Sequence, residues 1–91
     1  MSETILEEAQ RLVHGPRQQA YGTPFSDFTR TGRLWGAILG LEKDVPPDRV
    51  ALCLIAVKIS REVNAAKRDS AVDIAGYAEA LSLVRQEQGH Y

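Results

Sequence analysis

The chain has 91 residues, 44% hydrophobic and 25% charged, a composition typical of one folded globular domain rather than a disordered or fibrous chain. Its net charge of −1 excludes the strong overall field that draws basic proteins to nucleic acid or anionic membranes. A lone cysteine, Cys53, excludes an internal disulfide. The acidic start is unlike a signal peptide, and the longest apolar run, residues 50–57, is shorter than a membrane span. We therefore expect a single domain over residues 1–91, located in the cytoplasm, without a membrane partner.

The first predicted helix covers residues 4–13, because Thr4 and Glu7 have capping-box spacing and apolar residues then recur at helical intervals. The segment that follows, up to Pro24, is predicted to be a shaped loop in which residues 17–20 could form one short helical turn. A second helix is predicted at residues 25–39 and ends at Gly40. We expect its buried face to consist of Phe25, Phe28, Gly32, Trp35 and Leu39, with Trp35 largely buried.

The second half of the chain predicts two more helices. Residues 48–66 form the longest pattern, apolar on all sides over residues 50–57, and a fourth helix begins behind Asp69 or Ser70 as its cap and continues to about residue 86. Short connections indicate antiparallel neighbours, so the expected fold is all-α, a small bundle of about four helices. So short a chain has a thin margin of stability, and we therefore also expect a homo-oligomer.

Charged residues continue the apolar stripe of the third predicted helix. Lys58, Arg61 and Glu62 follow it along the same side, and two interpretations stay open. In one, the helix leaves the core and Lys58 and Glu62 form an ordinary solvated pair four residues apart. In the other, the turn back into the next helix brings Glu62, Asp69 and Asp73 together as carboxylate ligands for Mg²⁺. For Asp69 the sequence favours the role of a helix cap, whereas Asp73 could equally be a first-turn anion.

The shaped loop carries a second set of polar side chains. His14, Arg17, Tyr21 and Asp27 combine a switchable donor, a forked cation, a stacking face and a carboxylate, a mixture that suits a nucleotide but also suits a loop held by its own hydrogen bonds. Tyr77 shares a helix face with Asp73, four residues earlier. Zinc spacing, phosphate-binding glycine loops and the serine nucleophile elbow are absent from the sequence, and we expect no nucleic-acid partner.

Taken together, these segments resemble a family of small phage and prophage proteins of unassigned function over nearly the whole chain. That resemblance implies a phage origin and action in the host cytoplasm. The residues that carry it are His14, Gly15, Arg17, Tyr21, Gly22, Pro24, Phe28, Trp35, Lys58, Arg61, Glu62, Asp69, Asp73, Gly76 and Tyr77.

A second resemblance, to the all-α nucleoside-triphosphate pyrophosphohydrolases of the MazG type, rests on the lysine before an acid at Lys58 and Glu62 and on the pair Asp69 and Asp73. It implies Mg²⁺ as cofactor and helical dimers or tetramers. The sequence departs from the pattern, because Arg61 stands where an acid is expected and the second acidic spacing is one residue too long. A site short of carboxylates would bind a nucleotide without cleaving it.

Three functions remain open from the sequence. The first is a phage accessory protein that binds or sequesters a nucleotide or nucleotide-derived molecule, such as a signalling nucleotide of host defence, through His14, Arg17, Tyr21, Lys58, Arg61 and Tyr77. The second is a Mg²⁺-dependent pyrophosphohydrolase using Glu62, Asp69 and Asp73. The third is a helical protein-interaction module without a small-molecule site, marked by an exposed apolar patch.

Overall fold

A computed structural model describes residues 2–91, and every regular element in that range is an α-helix. The all-α fold expected from the sequence is confirmed, with four long helices and one short helix. In chain order they are α1 (Ile5–His14), α2 (Pro16–Tyr21), α3 (Pro24–Leu39), α4 (Pro47–Asn64) and α5 (Arg68–Glu87).

The first helix begins as its sequence predicts. The Thr4 hydroxyl accepts from the Glu7 backbone N–H at 3.1 Å, and the Glu7 carboxylate accepts from the Thr4 N–H at 2.9 Å, so two backbone donors that the helix leaves unpaired are satisfied. The following loop is more regular than expected, because Pro16 starts the six-residue helix α2 with its fixed φ. Gly22, at φ 84°, ends α2 in a conformation that favours glycine.

Helix α5 is the centre of the bundle: α1, α3 and α4 all pack on it. The core residues Val50 and Ala51 of α4 meet Ala80 and Val84 of α5, and Phe28 closes the cluster from α3. Lys67 occupies the N-cap position of α5, so the prediction that Asp69 or Ser70 caps this helix was wrong. Asp69 lies in the exposed first turn of the helix, next to a buried Ser70.

The orientation of α3 differs from the predicted one. Gly32 and Gly36 face inward because the chain after α3 crosses them so closely that a Cβ on Gly32 would lie 1.9 Å from the Val45 carbonyl oxygen. Phe28 is buried as expected, whereas Trp35 is half-buried and packs against the core cluster from its edge. Phe25 and Leu39, both predicted on the buried face, are exposed.

Within residues 2–91, no helix combines the length and apolar character needed to cross a membrane.

Candidate ligand-binding cavity

A cavity of about 300 Å³ opens between the helices, and all five helices contribute to its wall. The cavity results from the way the helices pack. Helix α1 contacts α5 and α2, and α3 and α4 contact α5 elsewhere. Within the described chain α1 has no packing contact with α3 or α4. The gap left over α5 is the cavity. Its apolar wall consists of Ala9, Leu12, Val13, Pro24, Phe28, Leu54, Val72 and Ala80, and its polar side chains are Arg17, Gln18, Tyr21, Asp27, Thr31, Asp73 and Tyr77.

Asp73 is a largely enclosed charged side chain of this wall. One carboxylate oxygen lies 2.8 Å from the Lys58 Nζ, and the other lies 3.6 Å from a guanidinium nitrogen of Arg17. The Asp73 side chain is 9% exposed and that of Lys58 is 18% exposed, so this pair attracts in a medium of lower polarity than water. Arg17 is half-exposed, and water screens its contact with Asp73. The three groups carry a net charge of +1.

Tyr77 lies one helical turn after Asp73 and brings an aromatic surface to the same wall. Its ring centroid is 6.4 Å from that of Phe28 with the planes tilted by 47°, within the range of favourable aromatic pairs. The guanidinium carbon of Arg17 lies 5.8 Å from the Tyr77 centroid, which is a cation–π distance. Arg17 therefore contacts both the carboxylate and the ring.

The structure brings together some of the sequence-predicted ligand residues. Arg17, Tyr21 and Tyr77 line the cavity, and Lys58 reaches it through its pair with Asp73. His14 lies outside this wall, with its Nε2 2.7 Å from a carboxylate oxygen of Glu79 on α5. Arg61 is exposed and is also not part of the wall.

The three predicted metal ligands are not assembled. The Glu62 carboxylate accepts the Lys67 backbone N–H at 3.0 and 3.3 Å and so holds the turn into α5, while Asp69 is exposed and Asp73 is already paired with two cations. In the described part of the chain, no group of three or more His, Cys, Asp or Glu side chains could hold a metal ion. The expected pair of Lys58 with Glu62 is replaced by Lys58 with Asp73.

Sequence reasoning missed several residues of the wall, including Gln18 and Thr31. It placed Lys58 near an acidic cluster that contains Asp73, but it did not single out their direct pair. The sequence did contain an indication of the Lys58–Asp73 pair. Lys58 follows Leu54 by four residues and so lies on the core side of α4, where a cation needs an anion nearby. Thr31 likewise follows Asp27 by four residues on α3. Hydrophobic periodicity alone does not show which helix packs against Lys58 or Thr31.

Comparison with known proteins identifies relatives over almost the whole chain. A family model described as "Domain of unknown function (DUF6378)" matches residues 4–85. The "Gene 55 protein" of Mycobacterium phage D29 is 42% identical over 88 residues, and the "Gene 55 protein" of Mycobacterium phage L5 is 40% identical over 84 residues. These alignments cover 96% and 90% of this chain but 57% and 53% of the relatives, so the chain spans about half the length of the curated relatives it matches. No solved structure matches significantly.

Proposed function

The chain belongs to the DUF6378 family, whose members include phage proteins, and from that premise we propose that it binds a nucleotide-type small molecule in the cavity over α5. The observation that carries the proposal is the joint contact of Arg17 with Asp73 and Tyr77 on the cavity wall. The place of action is the host cytoplasm, and the biological outcome is sequestration of the ligand, such as a signalling nucleotide of host defence.

The chemistry of the wall matches the two parts of a nucleotide. A base is a flat, partly apolar ring, and Tyr77 and Phe28 offer aromatic surface beside the apolar wall. A phosphate needs cations with several donors, and the half-exposed Arg17 presents a guanidinium at the same place. Lys58 adds a second positive charge behind Asp73. Asp27 and Gln18 supply hydrogen-bonding groups for the sugar or the base edge.

The size of the cavity narrows the ligand class. Its volume of about 300 Å³ is at the lower end of the range for small-molecule sites, which is about 300 to 1,000 Å³. A single nucleoside unit with its phosphates extending toward solvent suits that volume better than two complete nucleosides. We therefore propose a mononucleotide, or one half of a larger nucleotide, as the enclosed group.

The pairing of Asp73 supports the proposal of binding without cleavage. Hydrolysis of a phosphoanhydride in the manner of the MazG-type enzymes requires carboxylates that are free to hold Mg²⁺. Asp73 is paired with Lys58 at 2.8 Å, while Glu62 and Asp69 lie outside the cavity wall. The family comparison gives no support of its own to pyrophosphohydrolase activity. The proposal is therefore a binding protein, and Mg²⁺-dependent hydrolysis is the competing outcome.

The test is a calorimetric titration of the protein with adenosine and guanosine nucleosides and their mono-, di- and triphosphates, with and without Mg²⁺. We expect at least one phosphorylated compound to bind more tightly than its nucleoside. Arg17→Ala should weaken that binding about 10- to 150-fold, which corresponds to the roughly 1.5 to 3 kcal/mol of a hydrogen bond to a charged group.

Arg33→Ala is the matched control, because Arg33 is also an exposed arginine beside a carboxylate, with 3.7 Å between its Nε and Asp44 on the surface. It should leave the affinity unchanged. Equal losses in both variants would mean nonspecific attraction of anions, and binding by none of the compounds would refute the site. Release of pyrophosphate that depends on Mg²⁺ and on Asp73 would show an enzyme instead.

A further inference from the structure

The outer side of α4 carries an apolar stripe that nothing in the described chain covers. Leu52, Ala56, Ile59 and Val63 are all exposed, the three larger side chains by 38% to 83%. At 100° per residue these four positions fall within an arc of about 60°. The core residues Val50, Ala51 and Leu54 lie on the opposite side of the helix, so α4 carries apolar residues on its outer side as well as on its core side.

The spacing of this outer stripe is that of a helix-pairing seam. The steps between its residues are four, three and four, the alternation with which apolar side chains in coiled coils meet a partner helix. The stripe is about 17 Å long at the rise of an α-helix. Cys53 and Ser60 border it on one side, and both are small, uncharged and exposed, so a second helix can approach without like-charge repulsion.

We propose that the outer stripe of α4 pairs with the same stripe of a second copy of this chain, antiparallel about a two-fold axis. The spacing of four, three and four residues is symmetric about the middle of the stripe. An antiparallel copy therefore brings every stripe residue opposite another stripe residue. Leu52 then faces Val63 of the second copy, and Ala56 faces Ile59 of the second copy, a small side chain against a large one. A parallel copy would place Ala56 against Ala56 and leave a gap at the seam.

The surface area of the chain fits the need of such a dimer. A globular monomer of 10.1 kDa is expected to expose about 5,300 Å², whereas this chain exposes 6185 Å², about 900 Å² more. A standard interface buries about 800 Å² on each partner. The excess is of the same size as one side of a standard interface. Helix α3, which packs beside α4, and the residue just beyond its end carry three more exposed apolar side chains, Leu34, Ile38 and Leu41.

The dimer is independent of the proposed ligand site, since the cavity receives Leu54 from the opposite side of α4. Sedimentation equilibrium over a range of micromolar concentrations should report a dimer for the native chain. Ile59→Glu should raise the dissociation constant of the dimer by about 30-fold or more, because a central residue of a two-fold interface is changed on both partners. Leu6→Glu, which changes a similarly apolar and more exposed residue of α1, is the control and should leave the dimer intact.

The orientation is tested by exchanging charges at the two ends of the stripe. Leu52→Lys and Val63→Glu should each weaken the dimer, and the double variant should restore it, because the new opposite charges face each other between antiparallel copies. In a parallel dimer the double variant would face like charges and be the weakest of all. Circular dichroism confirms that each variant keeps its helices. A native chain that stays monomeric, or an unaffected Ile59→Glu dimer, overturns the proposal, as does a double variant weaker than both single ones.

Discussion

The pairing of Lys58 with Asp73 makes a quantitative prediction, because both side chains are largely enclosed between α4 and α5. Lys58→Met leaves Asp73 with only the longer, screened contact to Arg17, and Asp73→Ala leaves the Lys58 ammonium without its close partner. A hydrogen bond between charged groups contributes roughly 1.5 to 3 kcal/mol. We expect a double-mutant cycle to give a coupling energy of about 2 kcal/mol in the free energy of unfolding.

The assay is urea unfolding followed by far-UV circular dichroism, with the same cycle on Arg33 and Asp44 as a control. These two side chains are well exposed and 3.7 Å apart, so their coupling should stay below about 0.5 kcal/mol and fall further with added salt. A Lys58–Asp73 coupling no larger than the control would refute the reasoning. It would mean that water screens this pair as it screens the surface of a solvated helix.

Three further predictions concern the scaffold. Gly32→Ala should lower the free energy of unfolding by more than about 3 kcal/mol in urea titrations, because its Cβ would meet the Val45 carbonyl oxygen at 1.9 Å; a stable variant would contradict that close crossing. Trp35→Ala should cost about 2 kcal/mol, less than the roughly 3 to 5 kcal/mol of a fully buried tryptophan, since Trp35 is half-buried; a larger loss would indicate that it is part of the core. Hydrogen bonds from the backbone and, second, from the side chain of Thr4 hold the pKa of Glu7 below its ordinary 4.5. The contribution of Glu7 to stability is therefore present above that pH and is lost as the pH falls through the lower pKa of the folded state. Below about pH 4.5, unfolding titrations should therefore show a smaller stability loss for Glu7→Gln than for the native chain, and parallel losses would contradict this assignment.

The sequence predicted those parts of the fold that depend on neighbouring residues. The capping box at Thr4 and Glu7 and the left-handed Gly40 at the end of α3 are local, and both were correct. The bounds of the long helices agree with their periodicity to within about two residues at each end, a normal spread for such assignments. The prediction of a polar cap was wrong at α5, because Lys67 rather than Asp69 precedes the first turn of this helix.

The orientation of α3 and the assembly of the candidate site depended on which helix surfaces pack together, and a single sequence does not carry that information. Which side of α3 faces inward was decided by the approach of the chain near Val45 to Gly32, a contact that hydrophobic periodicity does not register. For the candidate site, Arg17, Tyr21, Asp73 and Tyr77 were all identified as residue types suited to a ligand. Their common wall was not predictable, because it arises from the separation of α1 from α3 and α4.

The position of α1 on α5 also determines the order in which the chain can fold. Arg68 pairs with Glu8 across 60 residues, and His14 pairs with Glu79 across 65, so α1 gains its tertiary partners only after a long loop closes. The α4–α5 hairpin has a short connection, so its two helices meet at a lower entropic cost than α1 and α5. During synthesis α1 emerges well before α5, and its apolar side, Ala9 and Val13, stays exposed to water until α5 has been made.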